Sequence, residues 1–307
     1  MEVDISSVFH QMLILFLILA IGYAAGKTGI MSLESNKALS KLVNCIACPC
    51  TVLYSALCTE HVLQNREVLI LLAIAFGLFG FMILYSQAIP WLLKVPKAQS
   101  GQYKFMVTFS NMGYMGIPVI SAIYGDAAVF QVSIFIMVNY IVLYTYGLYL
   151  IRSGEGEFRF RDMLTPMMIA SVAALVLYLC GARVPKLVED TMDSVRKITT
   201  PCAMLVIGTA LSAVPLRSVF GNWRLYVIAA FKLVLAPLAV FLILRNLIAN
   251  EIILGIIITC IAMPVATNFT MLSAQYDRDQ KLAATSVFIT TLLSVITIPL
   301  LTQLLFA

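Results

Sequence analysis

The chain has 307 residues, of which 61% are hydrophobic and only 11% are charged, whereas roughly a quarter of the residues in an ordinary soluble domain are charged. This composition excludes a soluble globular protein. The net charge of +5 comes from basic residues that stand singly in short loops rather than in a stripe, so it does not indicate a nucleic-acid partner. We expect an all-α protein whose partner is the lipid bilayer, because a membrane crossing needs about 20 mostly apolar residues in a helix.

Hydrophobic segments follow one another almost from end to end and predict ten transmembrane helices, here termed spans one to ten. In chain order they are residues 7–25, 38–57, 68–93, 103–123, 127–151, 163–180, 198–214, 223–247, 252–273 and 282–307. Span one is not expected to be a cleaved signal peptide, because Glu2 and Asp4 stand where such a peptide carries Lys or Arg.

The distribution of basic residues over the loops predicts the orientation of the chain. Most Lys and Arg residues fall in the loops on one side of the spans. Six fall on the other side: Arg66, Arg183, Lys186, Arg196, Lys197 and Arg245. Because cytoplasmic loops carry an excess of Lys and Arg, we expect a multi-pass protein of the plasma or inner membrane with both termini outside the cytoplasm.

The most polar interruption, residues 152–162, falls halfway along the chain and is predicted to be a cytoplasmic connector. It separates a first repeat of five spans, residues 1–151, from a second repeat of five, residues 163–307. An odd number of spans per half means that homologous halves must be inverted in the membrane.

Short matches between equivalent spans support this duplication. Spans four and nine each contain a proline, Pro118 and Pro264, and spans two and seven share an internal Pro-Cys, at Pro49 and Pro201. We therefore expect Pro49 and Pro201 to have structural roles.

Spans four and nine also combine proline with glycine or polar residues, which predicts broken helices 4 and 9. Interrupted helices at matching positions of inverted halves indicate a transporter site, where free amides and helix N-termini attract an anion. The alternatives are ordinary proline kinks with glycines for close packing, and asparagines that only bond neighbouring helices. The candidate substrate-binding residues are Asn111, Gly113, Gly116, Pro118, Pro264, Thr267 and Asn268.

The charges inside the spans favour an anion. None of the 15 acidic residues lies deep in a span, whereas a proton antiporter or a cation carrier is expected to keep one there. Lys232, within span eight, is the one buried charge. It can attract an anion, lock the moving helices by reaching a carbonyl of a broken helix, or extend its ammonium to the surface.

No catalytic or metal-binding pattern is present in the sequence. It contains no nucleophile paired with a base and no phosphate loop, so an enzyme is not expected. Cys45, Cys48 and Cys50 are close together but lack a fourth ligand, so we expect them to pack between helices without a metal. No cofactor is expected, and coupling to H⁺ or Na⁺ stays open.

Four motifs resemble the auxin efflux carrier family, which comprises the plant PIN-type carriers and their bacterial malate-permease-like relatives. They are Asn111-x-x-x-Met115-Gly116-Ile117-Pro118 with Tyr124-Gly125, Ala262-Met263-Pro264 with Tyr276, Lys232-Leu233 with Pro237, and the segment from Pro201 to Leu211. The resemblance implies ten helices in two inverted repeats, with a scaffold of spans one, two, six and seven. It also implies a transport domain of spans three to five and eight to ten, a homodimer, and elevator-type alternating access.

The resemblance implies a small carboxylate substrate such as malate, malonate or an auxin-like acid. The residues after Pro264 depart from the plant pattern of glycine, hydrophobic residues and a second proline, which argues against auxin itself. The short central loop is similar to that of bacterial members. Two other functions stay open: a carrier similar to the bile-acid and sodium symporters, and a membrane solute receptor that does not transport.

Overall fold

The computed structural model describes residues 5–58, 63–152, 164–214 and 221–306. Within these ranges all regular elements are helical, and five helices are long and apolar enough to cross a membrane. The protein is therefore an all-α membrane protein, as its composition predicts. The arrangement as ten helices in two inverted repeats stays a prediction, and most of the connector at residues 152–162 lies outside the described residues.

The first half of the chain contains eight described helices. They are α1 Ile5–Lys27, α2 Leu33–Leu42, α3 Cys48–Leu57, α4 Asn65–Leu92, α5 Ser100–Thr108, α6 Ile117–Tyr124, α7 Ala128–Val142 and α8 Leu148–Arg152. Wider π-helical turns join α2 to α3 at Val43–Ala47, precede α6 at Met112–Gly116 and join α7 to α8 at Leu143–Gly147.

The second half also contains eight described helices. They are α9 Pro166–Leu179, α10 Lys186–Arg196, α11 Thr199–Ser212, α12 Trp223–Ala230, α13 Ala236–Leu244, α14 Glu251–Ala262, α15 Asn268–Gln275 and α16 Gln280–Phe306. A further π turn, Phe231–Leu235, joins α12 to α13. Helix α10 is not expected from the sequence, because its residues lie in the predicted loop between spans six and seven.

Three of the π turns are followed directly by a proline in the next helix. Pro49, Pro118 and Pro237 each stand second in α3, α6 and α13. A proline ring clashes with the carbonyl four residues earlier, which in each case lies in the preceding π turn. The wider turn accommodates that clash and lets the chain continue helically. Pro201 is instead tolerated in the first turn of α11, where its missing N–H is not needed.

The chain divides into two compact units. Unit one comprises Met1–Ala73, Met112–Met137 and Leu164–Ala213, and unit two comprises Ile74–Asn111, Val138–Met163 and Val214–Ala307. The chain passes from unit two to unit one within span four, since α5 belongs to the former and α6 to the latter. The assignment of spans to a scaffold and a transport domain stays a prediction.

In unit one, α1 and α11 pack with their backbones in direct contact. A Cβ atom on Gly208 would lie 2.0 Å from the carbonyl oxygen of Leu19, and one on Gly22 would lie 2.5 Å from that of Leu205. The Thr209 hydroxyl donates a hydrogen bond of 3.0 Å to the Gly22 carbonyl. Glycine at both positions is what allows this close approach.

Helix α10 is held in unit one by Arg196. Its guanidinium lies 2.7 Å from an Asp126 carboxylate oxygen and 2.7 Å from Asp193. It also stacks over the Tyr54 ring, with 4.3 Å to the centroid. The Asp193 carboxylate further pairs with Lys197 at 2.5 Å. The last turn of α10 is thus joined to α3 and to the loop after α6.

Candidate functional site

The interruption of span four, residues 109–111, overlaps the predicted stretch, residues 111–118, only at Asn111. Helix α5 ends at Thr108, and Phe109 is extended, with φ −102° and ψ 130°. The chain becomes helical again in the π turn that begins at Met112. Pro118 does not break the helix, since it lies in the first turn of α6.

The interruption of span nine contains Pro264, as the sequence predicts. Helix α14 ends at Ala262, Met263 is extended with φ −60° and ψ 146°, and α15 begins at Asn268. The proline explains the local geometry, because a residue that precedes proline is driven out of the helical region.

The two interruptions pair with each other inside unit two. Ser110 and Val265 form an antiparallel β-bridge. The Asn111 N–H donates to the Pro264 carbonyl at 2.8 Å, and the Ala266 N–H donates to the Phe109 carbonyl at 3.2 Å. The two broken helices therefore supply hydrogen-bond partners for some of each other's backbone N–H and C=O groups. Non-helical chain inside a membrane requires such partners.

This pairing removes a helical hydrogen bond from α5, and Lys232 replaces it. In a continuous helix the Val107 carbonyl would accept from the N–H of Asn111, which here bonds Pro264 instead. The Lys232 Nζ donates to the Val107 carbonyl at 2.9 Å and to the Ser110 Oγ at 2.7 Å. Lys232 has no exposed surface, so its ammonium ends at the broken helix and not at the membrane surface.

Thr290 satisfies a backbone group of the second interruption. Its hydroxyl, on α16, accepts the Val265 N–H at 3.1 Å and donates to the Ser286 carbonyl at 2.7 Å. The sequence does not single out Thr290. A hydroxyl in an apolar span carries no signal of its own, because such groups usually bond the preceding turn of their own helix.

The side chain of Asn111 carries a buried hydrogen-bond donor, its amide Nδ2. Asn111 is only 4% exposed, and within the described chain its Nδ2 has no hydrogen-bond partner. Leaving such a group unpaired in a buried position costs about 1–3 kcal/mol. A ligand that accepts a hydrogen bond from this amide would remove that cost.

The other predicted residues of span nine lie just after the bridge. Thr267 is the N-cap of α15, but its side chain makes no capping bond, and Asn268 is the first residue of that helix and partly exposed. The first turn of α15 therefore lacks a side-chain cap, although the Phe269 and Thr270 N–H groups donate to the carbonyls of Ala266 and Thr267. The positive end of the helix favours an anion.

The remaining predicted residues, Gly113, Gly116 and Pro118, belong to unit one. A Cβ on Gly113 would have no atom within 4 Å. Gly116 and Pro118 are buried. Within unit two, the structure joins Asn111 to Pro264 directly and places Thr267 and Asn268 in the same interruption.

The chemistry of this site suits an anion. The site contains the Asn111 amide, the start of α15 and the positive charge of Lys232, whose ammonium donates to Val107 and Ser110. In the part of the chain that the structure describes, no carboxylate forms an ion pair with Lys232. Positive charge inside a membrane is costly and commonly marks a substrate pathway.

Comparisons with known proteins show the family of the chain. The profile of the membrane transport protein family matches residues 7–161 and 156–302. An uncharacterised transporter of Methanocaldococcus jannaschii is 24% identical over 297 residues, which cover 94% of this chain and 96% of the relative. An uncharacterised transporter of Escherichia coli is 23% identical over 305 residues, which cover 94% of this chain and 95% of the relative.

A further relative, from Rhizobium meliloti, is named "Putative malonate transporter"; it is 24% identical over 212 residues, 66% of each chain. The family match spans nearly the whole sequence and agrees with the motifs of spans four and nine. The chain therefore belongs to the membrane transport protein family, which is the auxin efflux carrier family that those motifs resemble.

Proposed function

We propose that this membrane transporter is a carrier for a small carboxylate, such as malonate or malate, and not an enzyme. The observation that supports this most directly is the unpartnered Nδ2 of Asn111, beside the bridge between the two interrupted helices. A carboxylate oxygen accepts hydrogen bonds and carries the negative charge that the site otherwise lacks.

The substrate contacts in this proposal come from both interruptions. The Asn111 amide donates to one carboxylate oxygen, and the Asn268 amide and the uncapped start of α15 donate to the other. Lys232 contributes positive charge through its contact with Ser110, the neighbour of Asn111. The same charge disfavours an inorganic cation at this place.

The proposed mechanism is elevator-type alternating access in a homodimer. Ten transmembrane helices would form two inverted repeats with both termini outside the cytoplasm, in the plasma or inner membrane. Spans three to five and eight to ten would carry the substrate past spans one, two, six and seven. The name of the relative from Rhizobium meliloti supports the substrate class.

The test is uptake of radiolabelled malonate and malate into proteoliposomes, each with and without a sodium gradient and a pH gradient. We expect saturable uptake, and the gradient that accelerates it identifies the coupling ion. Asn111→Ala should raise the KM about fivefold or more, since it removes one hydrogen bond to a charged group. Asn246→Ala, which changes an exposed amide after α13, is the matched control.

Two results would contradict the proposal. Equal KM and maximal rate in Asn111→Ala and the wild type would exclude this site. Thermal stabilisation of the purified protein by malonate, without any uptake, would show a solute receptor instead of a carrier.

A further inference from the structure

A second polar feature lies in unit one, on the helix of span two. Asn36, Ser40 and Asn44 are spaced four residues apart along α2 and its π turn, so they follow one face of the helix. This helical stretch, Glu34–Leu57, is one of the five apolar and long enough to cross a membrane. Polar residues in a line along a spanning helix normally face protein or water and not lipid.

Tyr114 lies against this face, and its hydroxyl forms hydrogen bonds with the side chains of Ser40 and Asn44. Its hydroxyl oxygen is 2.5 Å from the Ser40 Oγ and 2.5 Å from the Asn44 Nδ2, and the hydroxyl donates to the Ser40 carbonyl at 3.1 Å. A phenol has one proton to donate and two lone pairs that accept. The Asn44 amide donates to one lone pair, and the contacts with the Ser40 hydroxyl and carbonyl engage the rest of the phenol, since either oxygen can be the donor between Ser40 Oγ and Tyr114.

Both partners of this contact lie in or beside a π turn. Asn44 belongs to Val43–Ala47, and Tyr114 belongs to Met112–Gly116. The Cys48 thiol approaches the Gly113 carbonyl at 4.0 Å, which is a second link between the same two segments. Such π turns in helices frequently mark functional positions.

The face also has an unsatisfied polar atom and free space. The Asn36 Oδ1, one turn before Ser40, has no hydrogen-bond partner in the described chain, although Asn36 is only 9% exposed. Next to Tyr114, a Cβ on Gly113 would meet no atom within 4 Å. A buried polar atom without a partner and an unfilled volume both indicate a place for water or a ligand.

Helix α2 carries a net positive charge, since its two lysines outnumber the exposed Glu34. Lys37 and Lys41 are exposed on this helix, and neither forms an ion pair within the described residues. Lys37 and Lys41 directly follow Asn36 and Ser40 in the chain, and exposed positive charge beside polar residues raises the local concentration of anions.

We propose that Asn36, Ser40, Asn44 and Tyr114 form an access track for the carboxylate, with Tyr114 as its gate. The phenolic oxygen engages the Asn44 amide and the Ser40 hydroxyl, two groups that can donate to a carboxylate oxygen in the track. The Tyr114 hydroxyl must therefore leave before an anion can pass. The track rests on the proposed transport function, and its gate residue belongs to the same interrupted span that carries Asn111.

The test measures water and anion access by cysteine labelling in the full-length protein. In a variant without its seven native cysteines, Ser40→Cys and Asn44→Cys are treated with a negatively charged and a positively charged methanethiosulfonate. The control is Ile46→Cys, on the same π turn but 55% exposed on an apolar face. We expect both track positions to react faster than the control, faster with the anionic reagent, and more slowly when malonate is present.

Removing the gate hydroxyl gives the second measurement. Tyr114→Phe in an Asn36→Cys background, which keeps the Ser40 and Asn44 side chains, should raise the labelling rate about fivefold, the change expected for the loss of about one hydrogen bond. Asn36→Asp, which places a negative charge in the track, should remove the preference for the anionic reagent. Monodisperse elution of each variant confirms that it is folded.

The outcomes separate the track from the transport proposal. Labelling at Ser40→Cys and Asn44→Cys that is no faster than at Ile46→Cys overturns the track. Labelling that neither malonate nor malate slows overturns its role for carboxylates. Protected labelling in a protein without carboxylate uptake supports the track as a binding path and overturns only the proposed transport.

Discussion

Lys232 donates to the carbonyl of Val107 at 2.9 Å, and this is the carbonyl that Asn111 leaves free by bonding Pro264. A side chain on a third helix thus satisfies the backbone group that the first interruption exposes. Because the ammonium is fully buried, the bond is stronger than the same contact would be in water.

Lys232→Met should therefore damage both stability and transport. It leaves the Val107 carbonyl without a donor at membrane depth, which costs about 1–3 kcal/mol. Thermal unfolding of the detergent-purified protein and malonate uptake check this. Ser110→Ala, which keeps the Val107 bond, should be milder. Lys104→Met removes a bond to the exposed Gln87 side chain and should have a smaller effect than Lys232→Met. Full stability and uptake in Lys232→Met would refute the role of the ammonium.

Thr290→Val should loosen the second interruption. Valine has nearly the same shape but leaves the Val265 N–H without an acceptor, again at a cost of about 1–3 kcal/mol. Thr302→Val is the matched control, since the Thr302 hydroxyl bonds only carbonyls of its own helix. The two variants are compared by thermal unfolding, and equal melting temperatures would show that the Thr290 bond contributes nothing.

The sequence predicts the second interruption better than the first. Pro264 forces Met263 out of the helical region, and that effect is local. Phe109, Ser110 and Asn111 include neither proline nor glycine, so nothing local signals their extended backbone. They are extended because they pair with Val265, a residue far along the chain, and pairing of this kind is not visible in a local pattern.

The prolines that follow the π turns show another limit of predicting the fold from the sequence. Pro118 has the sequence properties of a helix break, yet the π turn before it absorbs the steric clash, and the chain stays helical. Lys232 is recognisable as unusual from its position alone. Its partner Val107 is not, because the free carbonyl exists only after the two interruptions have paired.

Gly208→Ala should be strongly destabilising, whereas Gly77→Ala should not. The new methyl group at Gly208 would stand 2.0 Å from the Leu19 carbonyl, so α1 and α11 must separate, and overpacking of this kind costs about 1–3 kcal/mol or more. At Gly77 in α4 no atom lies within 4 Å, and alanine gains about 0.5–1 kcal/mol over glycine in a helix. Thermal unfolding of both variants measures the contrast, and a similar shift in the two would contradict direct backbone contact between α1 and α11.

Acid should loosen helix α10 through Asp193, which lies outside the predicted spans. The hydrogen bond from Lys197, and then that from Arg196, hold the pKa of the Asp193 carboxyl below its ordinary value. A carboxyl whose pKa is lowered in the folded protein contributes stability above its unfolded pKa and loses it as the pH falls through the folded pKa. The contribution should therefore be constant near neutral pH and decline below about pH 4, the ordinary range for Asp.

Hydrogen exchange of the α10 amides between about pH 6 and pH 3, a range that brackets the ordinary pKa of Asp, would measure this loss once corrected for the intrinsic pH dependence of exchange. Protection should fall in the wild type at the acid end of the range. In Asp193→Asn it should already be lower at the neutral end and should change less with pH, because the carboxylate that pairs with Arg196 is gone. Asp190→Asn, which removes only a pair with the exposed Lys186, should behave like the wild type. An unchanged acid step in Asp193→Asn would mean that the Asp193 carboxylate does not govern the attachment of α10.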